Sequence, residues 1–138
     1  MPSTEPKGRI MFEKTPAFSG FSVDDIPAAR AFYGDVLGVR LTERNGMLVL
    51  HLAGDGATTR DTLVYPKPDH VPASFTILNF RVDDVDAAVD ALAASGVTFQ
   101  VSDWTDERGV QRRYGPPIAW FTDPAGNVLS VIQESGPE

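Results

Sequence analysis

The chain contains no cysteine. That excludes a disulfide, a thiolate nucleophile and a Cys-based metal site, and it suits the cytoplasm, where the protein is expected to work. Histidine is almost as scarce: His51 and His70 are the only two in 138 residues. They stand too far apart in sequence to form the i, i+4 pair that puts two metal ligands on one helix face. No apolar run approaches the ~20 residues that cross a bilayer. Positive charge is also short, with 12 Lys and Arg against 19 Asp and Glu and a formal net charge of −7. That balance argues against nucleic acid or an anionic membrane as the partner. Met1 to Gly8 has no apolar signal-peptide core and reads as a frayed tail.

What the chain does have is a repeat. Phe21-Ser-Val23-Asp24-Asp25-Ile26-Pro27-Ala28-Ala29 returns as Phe80-Arg81-Val82-Asp83-Asp84-Val85-Asp86-Ala87-Ala88. Six of the nine positions are identical, which identifies one supersecondary unit used twice. Ala17–Val23 reads as a strand running into a helix, with Asp24 or Asp25 as its cap and Pro27 in the first turn, where a missing N–H costs little. Ile26, Ala29, Phe32, Tyr33, Val36 and Leu37 recur at helical spacing, and Gly38 supplies the stop. Strand-like runs follow at Val39–Thr42, Met47–Leu52 and Thr62–Tyr65, the first two joined by the tight-turn pair Asn45-Gly46. Ala53–Arg60 reads as a Gly-containing connection, and the proline-rich Pro66–Pro72 as the linker between halves.

The second half repeats this order. Ser74–Val82 is a strand, Asp84 caps a helix ending at Gly96, and Val97–Val101 is a strand. Ser102–Pro117 is a polar insertion, and Ile118–Thr122 and Val128–Gln133 form a hairpin through the turn Asp123–Asn127. The expected fold is therefore α+β. A single domain over residues 1–138 is built from two pseudo-symmetric β-α-β-β-β modules, residues 16–66 and 73–133. Neither half has enough helix to cover its sheet alone, so the sheets are expected to make one curved, cup-like mixed surface with the helices outside.

Three segments carry a family resemblance: Phe21-Ser-Val-Asp-Asp with Ala31-Phe32-Tyr33-Gly34-Asp35-Val36-Leu37-Gly38, then Val82-Asp-Asp-Val-Asp-Ala-Ala, then Trp120-Phe121-Thr122-Asp123-Pro124-Ala125-Gly126-Asn127. With them the chain resembles the vicinal oxygen chelate superfamily, also called the glyoxalase/bleomycin-resistance/dioxygenase superfamily, over residues 16–133. The resemblance implies a cup in which metal-dependent members hold a divalent ion with His or Gln, His and Glu. Those positions align here with Phe18, Ile77 and Ser130, and a fourth falls near Val64 or Tyr65. Phe and Ile have no donor atom, and a Ser hydroxyl is a poor ligand at neutral pH, so no metal and no other cofactor is expected.

Side chains alternate along a strand. If Phe21 and Val23 face their helix, Phe18, Gly20 and Ser22 face the cup. By the same logic Phe75, Ile77, Asn79 and Arg81 face it from the second half, and Ser130 from the last strand. The candidate pocket residues are Phe18, His51, Tyr65, Phe75, Ile77, Asn79, Arg113, Trp120 and Ser130: apolar walls with a few orienting polar groups. The competing reading is a cup filled by its own side chains, Phe18 and Phe75 above all. His51 reads as a hydrogen-bonded strand histidine or a pocket base, and His70 as a surface residue. Trp104, Arg108, Arg112, Arg113 and Tyr114 fall in the insertion, either as a solvated loop or as a flap for an anionic or aromatic ligand. Asp106, Glu107 and Arg108 read as ordinary surface charge, and Asp123–Asn127 as a turn. The function expected is binding of a small, partly apolar molecule in a metal-free cup by a homodimer similar to the bleomycin-resistance type. The alternatives are a lyase, isomerase or dioxygenase with a non-standard site, and an interaction protein with a plugged cup.

Overall fold

The structure is a computed structural model and describes residues 11–54 and 58–134. The tail Met1–Gly8 and part of the Ala53–Arg60 connection lie outside the described residues. The first module contains β1 (Ser19–Val23), α1 (Ile26–Arg30), β2 (Leu41–Arg44), β3 (Met47–Ala53) and β4 (Thr59–Pro66). The second contains β5 (Thr76–Val82), α2 (Val85–Ala94), β6 (Val110–Gln111), β7 (Ile118–Thr122) and β8 (Val128–Gln133). Each forms its own four-stranded sheet, ordered β1-β4-β3-β2 and β5-β8-β7-β6, with one parallel pair at β1–β4 and one at β5–β8. The two sheets obey the same topology, as the repeat requires, and neither closes into a barrel. No helix among the described residues is long and apolar enough to cross a membrane.

The repeated Asp-Asp pair does the same local work twice. Asp25 accepts a hydrogen bond from the Ala28 N–H at 2.9 Å, and Asp84 from those of Asp86 and Ala87 at 3.0 and 3.1 Å. Each cap satisfies donors that the first helical turn leaves unpaired. Beyond Arg30 the first helix widens into a π-helical stretch, Ala31–Val36, with the Leu37 N–H reaching the Phe32 carbonyl at 2.9 Å. Phe32 and Tyr33, three and four positions after Ala29, both turn inward from this stretch, Tyr33 fully buried. The hairpin at Asn45-Gly46 has positive φ at both residues, 53° and 78°, as a type I′ turn requires.

One core serves both modules. Phe21, Leu48, Leu50 and Val64 from the first sheet and Phe121, Leu129 and Val131 from the second are buried in a single cluster with Tyr33 and Val85. Aromatic rings carry the packing across, from Phe21 to Tyr33 at 5.7 Å, Tyr33 to Phe32 at 5.2 Å and Phe32 to Phe121 at 6.3 Å. Burying a side chain such as Phe121 contributes roughly 1.5–3 kcal/mol. Thus the π-helical stretch that continues α1 packs on its own sheet through Tyr33 and on the second module through Phe32.

The Asp123–Asn127 turn is the polar counterpart of that contact. Tyr33, with no exposed surface, donates its hydroxyl hydrogen to Asp123 Oδ2 at 2.7 Å. Asp123 Oδ1 accepts from the backbone N–H groups of Ala125 and Asn127, and Asn127 Nδ2 donates to both Asp123 Oδ2 and the Ser22 carbonyl. Burial, reinforced by the Asp123 carboxylate, pushes the Tyr33 phenol far above its ordinary value. An unfolded tyrosine ionises near pH ~10, whereas the native phenol holds its proton, so stability falls as pH rises beyond that point. Tyr33→Phe is expected to flatten this alkaline slope, which urea unfolding followed between neutral pH and about pH 11 would measure; an unchanged slope would refute the assignment.

Several sequence expectations need correction. Val97–Val101 is not a strand; it contributes one isolated bridge, Phe99 to Phe121. The missing strand is β6, inside the segment read as a polar insertion. Asp106 launches it, accepting from the N–H groups of Arg108 and Val110 while Gly109 turns the chain at φ 91°. The Val110 N–H is the main cause of the lowered Asp106 pKa. Arg108 and Arg112 are not free to close over a ligand, because both pair with Asp86 on α2, at 2.8 and 2.6 Å. Arg108 also reaches Asp90, and Arg112 reaches Asp106. These exposed pairs orient the segment more than they stabilise it, at about 0–1 kcal/mol each. His70 is not a surface residue either. It is half-buried and joins the modules, Nδ1 lying 2.7 Å from the Ser22 hydroxyl and Nε2 3.0 Å from the Ala125 carbonyl. The carbonyl can only accept, so Nε2 carries the proton and the Ser22 hydroxyl donates to Nδ1.

Candidate functional site

Where β1 and β4 approach the start of β5, the modules leave an open cavity of about 340 Å³. Gly20 forms part of its wall, because β1 pairs in parallel with β4 and sets Gly20 opposite Leu63. A Cβ added at Gly20 would lie 3.1 Å from the Leu63 carbonyl and 3.8 Å from a Tyr65 ring carbon. Tyr65 and Phe75, 37% and 69% exposed, supply aromatic wall, and Ile77 and Val71 add aliphatic surface. Ser19, Ser22, Thr62, Thr76 and Asn127 are short polar points. Among the described residues, no carboxylate, histidine, lysine or arginine lines it.

Three of the nine sequence candidates, Tyr65, Phe75 and Ile77, therefore meet in one cavity. Phe18 and Asn79 line adjoining cavities on the other side of Thr62. Ser130 has no exposed surface, and its hydroxyl donates to Asn79 Oδ1 at 2.6 Å. Trp120 is half-buried, its indole N–H donating to Thr76 Oγ1 at 3.2 Å, so it touches the cavity through Thr76. Arg113 is exposed on the turn after β6, away from these cavities. His51 faces neighbouring strands: Nδ1 meets Asp61 Oδ1 at 3.0 Å and Nε2 meets Thr42 Oγ1 at 3.1 Å. In the neutral ring Nδ1–H donates to the carboxylate and Nε2 accepts from the hydroxyl, which is the hydrogen-bonded strand histidine rather than a pocket base.

Strict alternation misplaces one face of β5. Thr76 pairs with Val128 and Leu78 with Leu129, so Ile77 is an extra residue and the strand bulges there. A bulge changes which side chains share a face. Thr76 consequently stands beside Trp120, and Ile77 turns toward the fringe of the core as well as the cavity. The sequence reasoning also passed over Thr76, Val71 and Asn127. Gly20 did carry a signal, since a lone glycine inside a strand marks a close approach.

The positions aligned with family metal ligands fare poorly as a donor set. Phe18 is a 72% exposed hydrocarbon ahead of β1, Ile77 is a hydrocarbon on the bulge, and the Ser130 hydroxyl is already committed to Asn79. Among the described residues no group of three or more His, Cys, Asp or Glu side chains is placed to hold a metal ion. These residues do not fit the divalent ion that metal-dependent relatives hold.

Residues 17–131 match the sequence profile of the Glyoxalase/Bleomycin resistance protein/Dioxygenase superfamily. The chain belongs to that superfamily. Among solved structures it is similar to TnmS3, an antibiotic binding protein from Streptomyces sp. CB03234, with 27% identity, a TM-score of 0.58, and coverage of 88% of this chain and 98% of that one. It also shares its fold with a bleomycin-binding protein solved with bleomycin, at 23% identity and TM-score 0.62 over 88% of this chain and all of the other. The fosfomycin resistance protein FosX from Listeria monocytogenes matches at 12% identity and TM-score 0.67 over 89% of this chain and 95% of its own. No match was found among curated proteins. Superfamily membership fixes the two-module architecture; the chemistry must come from the site.

Proposed function

We propose that this protein binds a small, partly apolar molecule without a metal, and that holding the molecule is its task. The observation that carries this reading is the lining of the cavity between the modules: the exposed Tyr65 and Phe75 rings, aliphatic surface and short polar groups, with no carboxylate, imidazole or fixed charge among the described residues that line it. Such a surface orients and desolvates a ligand but offers no strong acid or base to move its protons. The poor donor set at Phe18, Ile77 and Ser130 supports the same reading, as does similarity to a protein described as antibiotic binding. The lyase, isomerase or dioxygenase alternative has no histidine base at the cavity, because His51 lies among neighbouring strands, bonded to Thr42 and Asp61, and does not line it. Exposed Phe18 and Phe75 favour a homodimer, which sedimentation would register as twice the chain mass.

Trp120 provides the readout. Compounds of antibiotic size with aromatic or aliphatic bodies, titrated against the protein, are expected to change its tryptophan emission. The response should survive Trp104→Phe and disappear in Trp120→Phe, because Trp120 reaches the cavity through Thr76 and Trp104 lies exposed on the segment before β6. Absence of any response from a broad panel, or stoichiometric bound metal in protein purified without chelator, would overturn the proposal.

A further inference from the structure

Beyond Thr62 the inter-module space continues as a groove of about 530 Å³, joined through Leu52, Arg60 and Leu78 to a wider mouth of about 810 Å³ beside Phe18. Its floor is apolar, made by Leu52, Leu78 and Phe80, and the polar side chains that line it are Arg60, Asn79 and Arg81. Arg60 stands at the centre. Its Cγ lies 3.3 Å from the position a Cβ on Gly54 would occupy, so its stem packs on bare backbone. The guanidinium has no hydrogen-bond or ion-pair partner among the described residues. Across the groove, Asn79 uses its oxygen to accept from Ser130, which leaves the amide nitrogen free to donate.

The nearby charges do not cancel this site. Arg81 is paired with Glu134 at 2.9 Å on the rim. Asp61 lines the mouth beside Arg60, and its Oδ1 is taken up by His51 Nδ1 at 3.0 Å. We propose that this groove is a second binding site, separate from the Tyr65 and Phe75 cavity, and that it takes a small organic carboxylate with an apolar body. The carboxylate would accept from Arg60 and Asn79 while the hydrocarbon covers Leu52, Leu78 and Phe80. A planar guanidinium matches a carboxylate with two parallel hydrogen bonds, and Asn79 adds a neutral donor.

The test compares 1-naphthaleneacetate with the neutral 1-naphthaleneethanol by amide chemical-shift titration of the whole chain. The acid is expected to bind about tenfold more tightly at low salt, with shifts at Leu52 and Leu78, and the preference should shrink at about 0.5 M salt. Arg60→Gln should abolish the preference while leaving the weaker alcohol binding in place. Arg44→Gln, on β2, should preserve it. Equal affinity for the two probes, or a preference that survives Arg60→Gln, overturns the proposal. Shifts confined to Tyr65, Phe75 and Thr76 also overturn it, yet they leave the reading of the other cavity intact.

Discussion

Asp123→Ala is expected to destabilise the fold by about 3–5 kcal/mol, the largest effect of any single polar substitution in this chain. Asp123 is buried and accepts four hydrogen bonds: from Tyr33, the backbone of Ala125 and Asn127, and the Asn127 side chain. Truncation leaves the Tyr33 hydroxyl with no acceptor in a region where every buried side-chain N and O of the described residues now has one. It also frees the turn that fixes Asn127, which in turn holds the Ser22 carbonyl of the first module and the Ala73 N–H just after the linker. Tyr33→Phe removes just one of the four bonds and adds no cavity, so about 1–2 kcal/mol is expected. With an m-value of about 2 kcal/mol per M in urea, the midpoints should fall by about 2 M and by less than about 1 M respectively. Equal shifts in the two variants would show that the turn itself contributes nothing and that only the phenol contact matters.

The Asp123 result bears on why some of this molecule was readable in advance. Local rules fixed what depends on neighbours in sequence. Phe-x-Val-Asp-Asp means strand, cap and helix, and it occurs twice, so the two β-α-β-β-β modules followed from spacing alone. The turn at Asp123–Asn127 was legible as a turn, but its role as a joint was not, because Tyr33 lies ninety positions away. The same limit hid the role of His70, whose partners Ser22 and Ala125 belong to different modules. Strand β6 was missed for another reason. Two residues flanked by Arg, Asp and Gly carry almost no periodic signal, and pairing with β7 decides their state. At the site, alternation named Phe75 and Ile77, which the structure sets beside Tyr65 in one cavity, but it gave no place to Thr76, because a bulge leaves no mark in composition. Arg60 went unnoticed because its interest lies in having no ionic partner among the described residues, and a sequence does not show that.

If the cavity between the modules is the binding site, Gly20→Leu should weaken ligand binding about a hundredfold with little loss of stability. Gly20 is not a backbone requirement: it is absent from the positive-φ glycines, so any residue can adopt its extended conformation. Its value lies in the space it leaves. A leucine Cβ would sit 3.1 Å from the Leu63 carbonyl, tight enough that the strands must shift by a few tenths of an ångström. The rest of the side chain then has one direction to go, past Tyr65 and into the cavity. A strand interior gains from exchanging glycine for a larger residue, which offsets the tight contact and keeps the net change within about 1 kcal/mol. Phe75→Ala makes the complementary change. It enlarges the cavity and removes an exposed aromatic wall, so binding should weaken about tenfold through lost contact while the urea midpoint stays put. The two variants separate occupancy from collapse, since one fills the space and the other empties it, and neither touches the core. The measurement is the Trp120 emission titration, run beside urea unfolding on each variant. Wild-type affinity in Gly20→Leu would mean that the ligand sits elsewhere, whatever else the aromatic walls do.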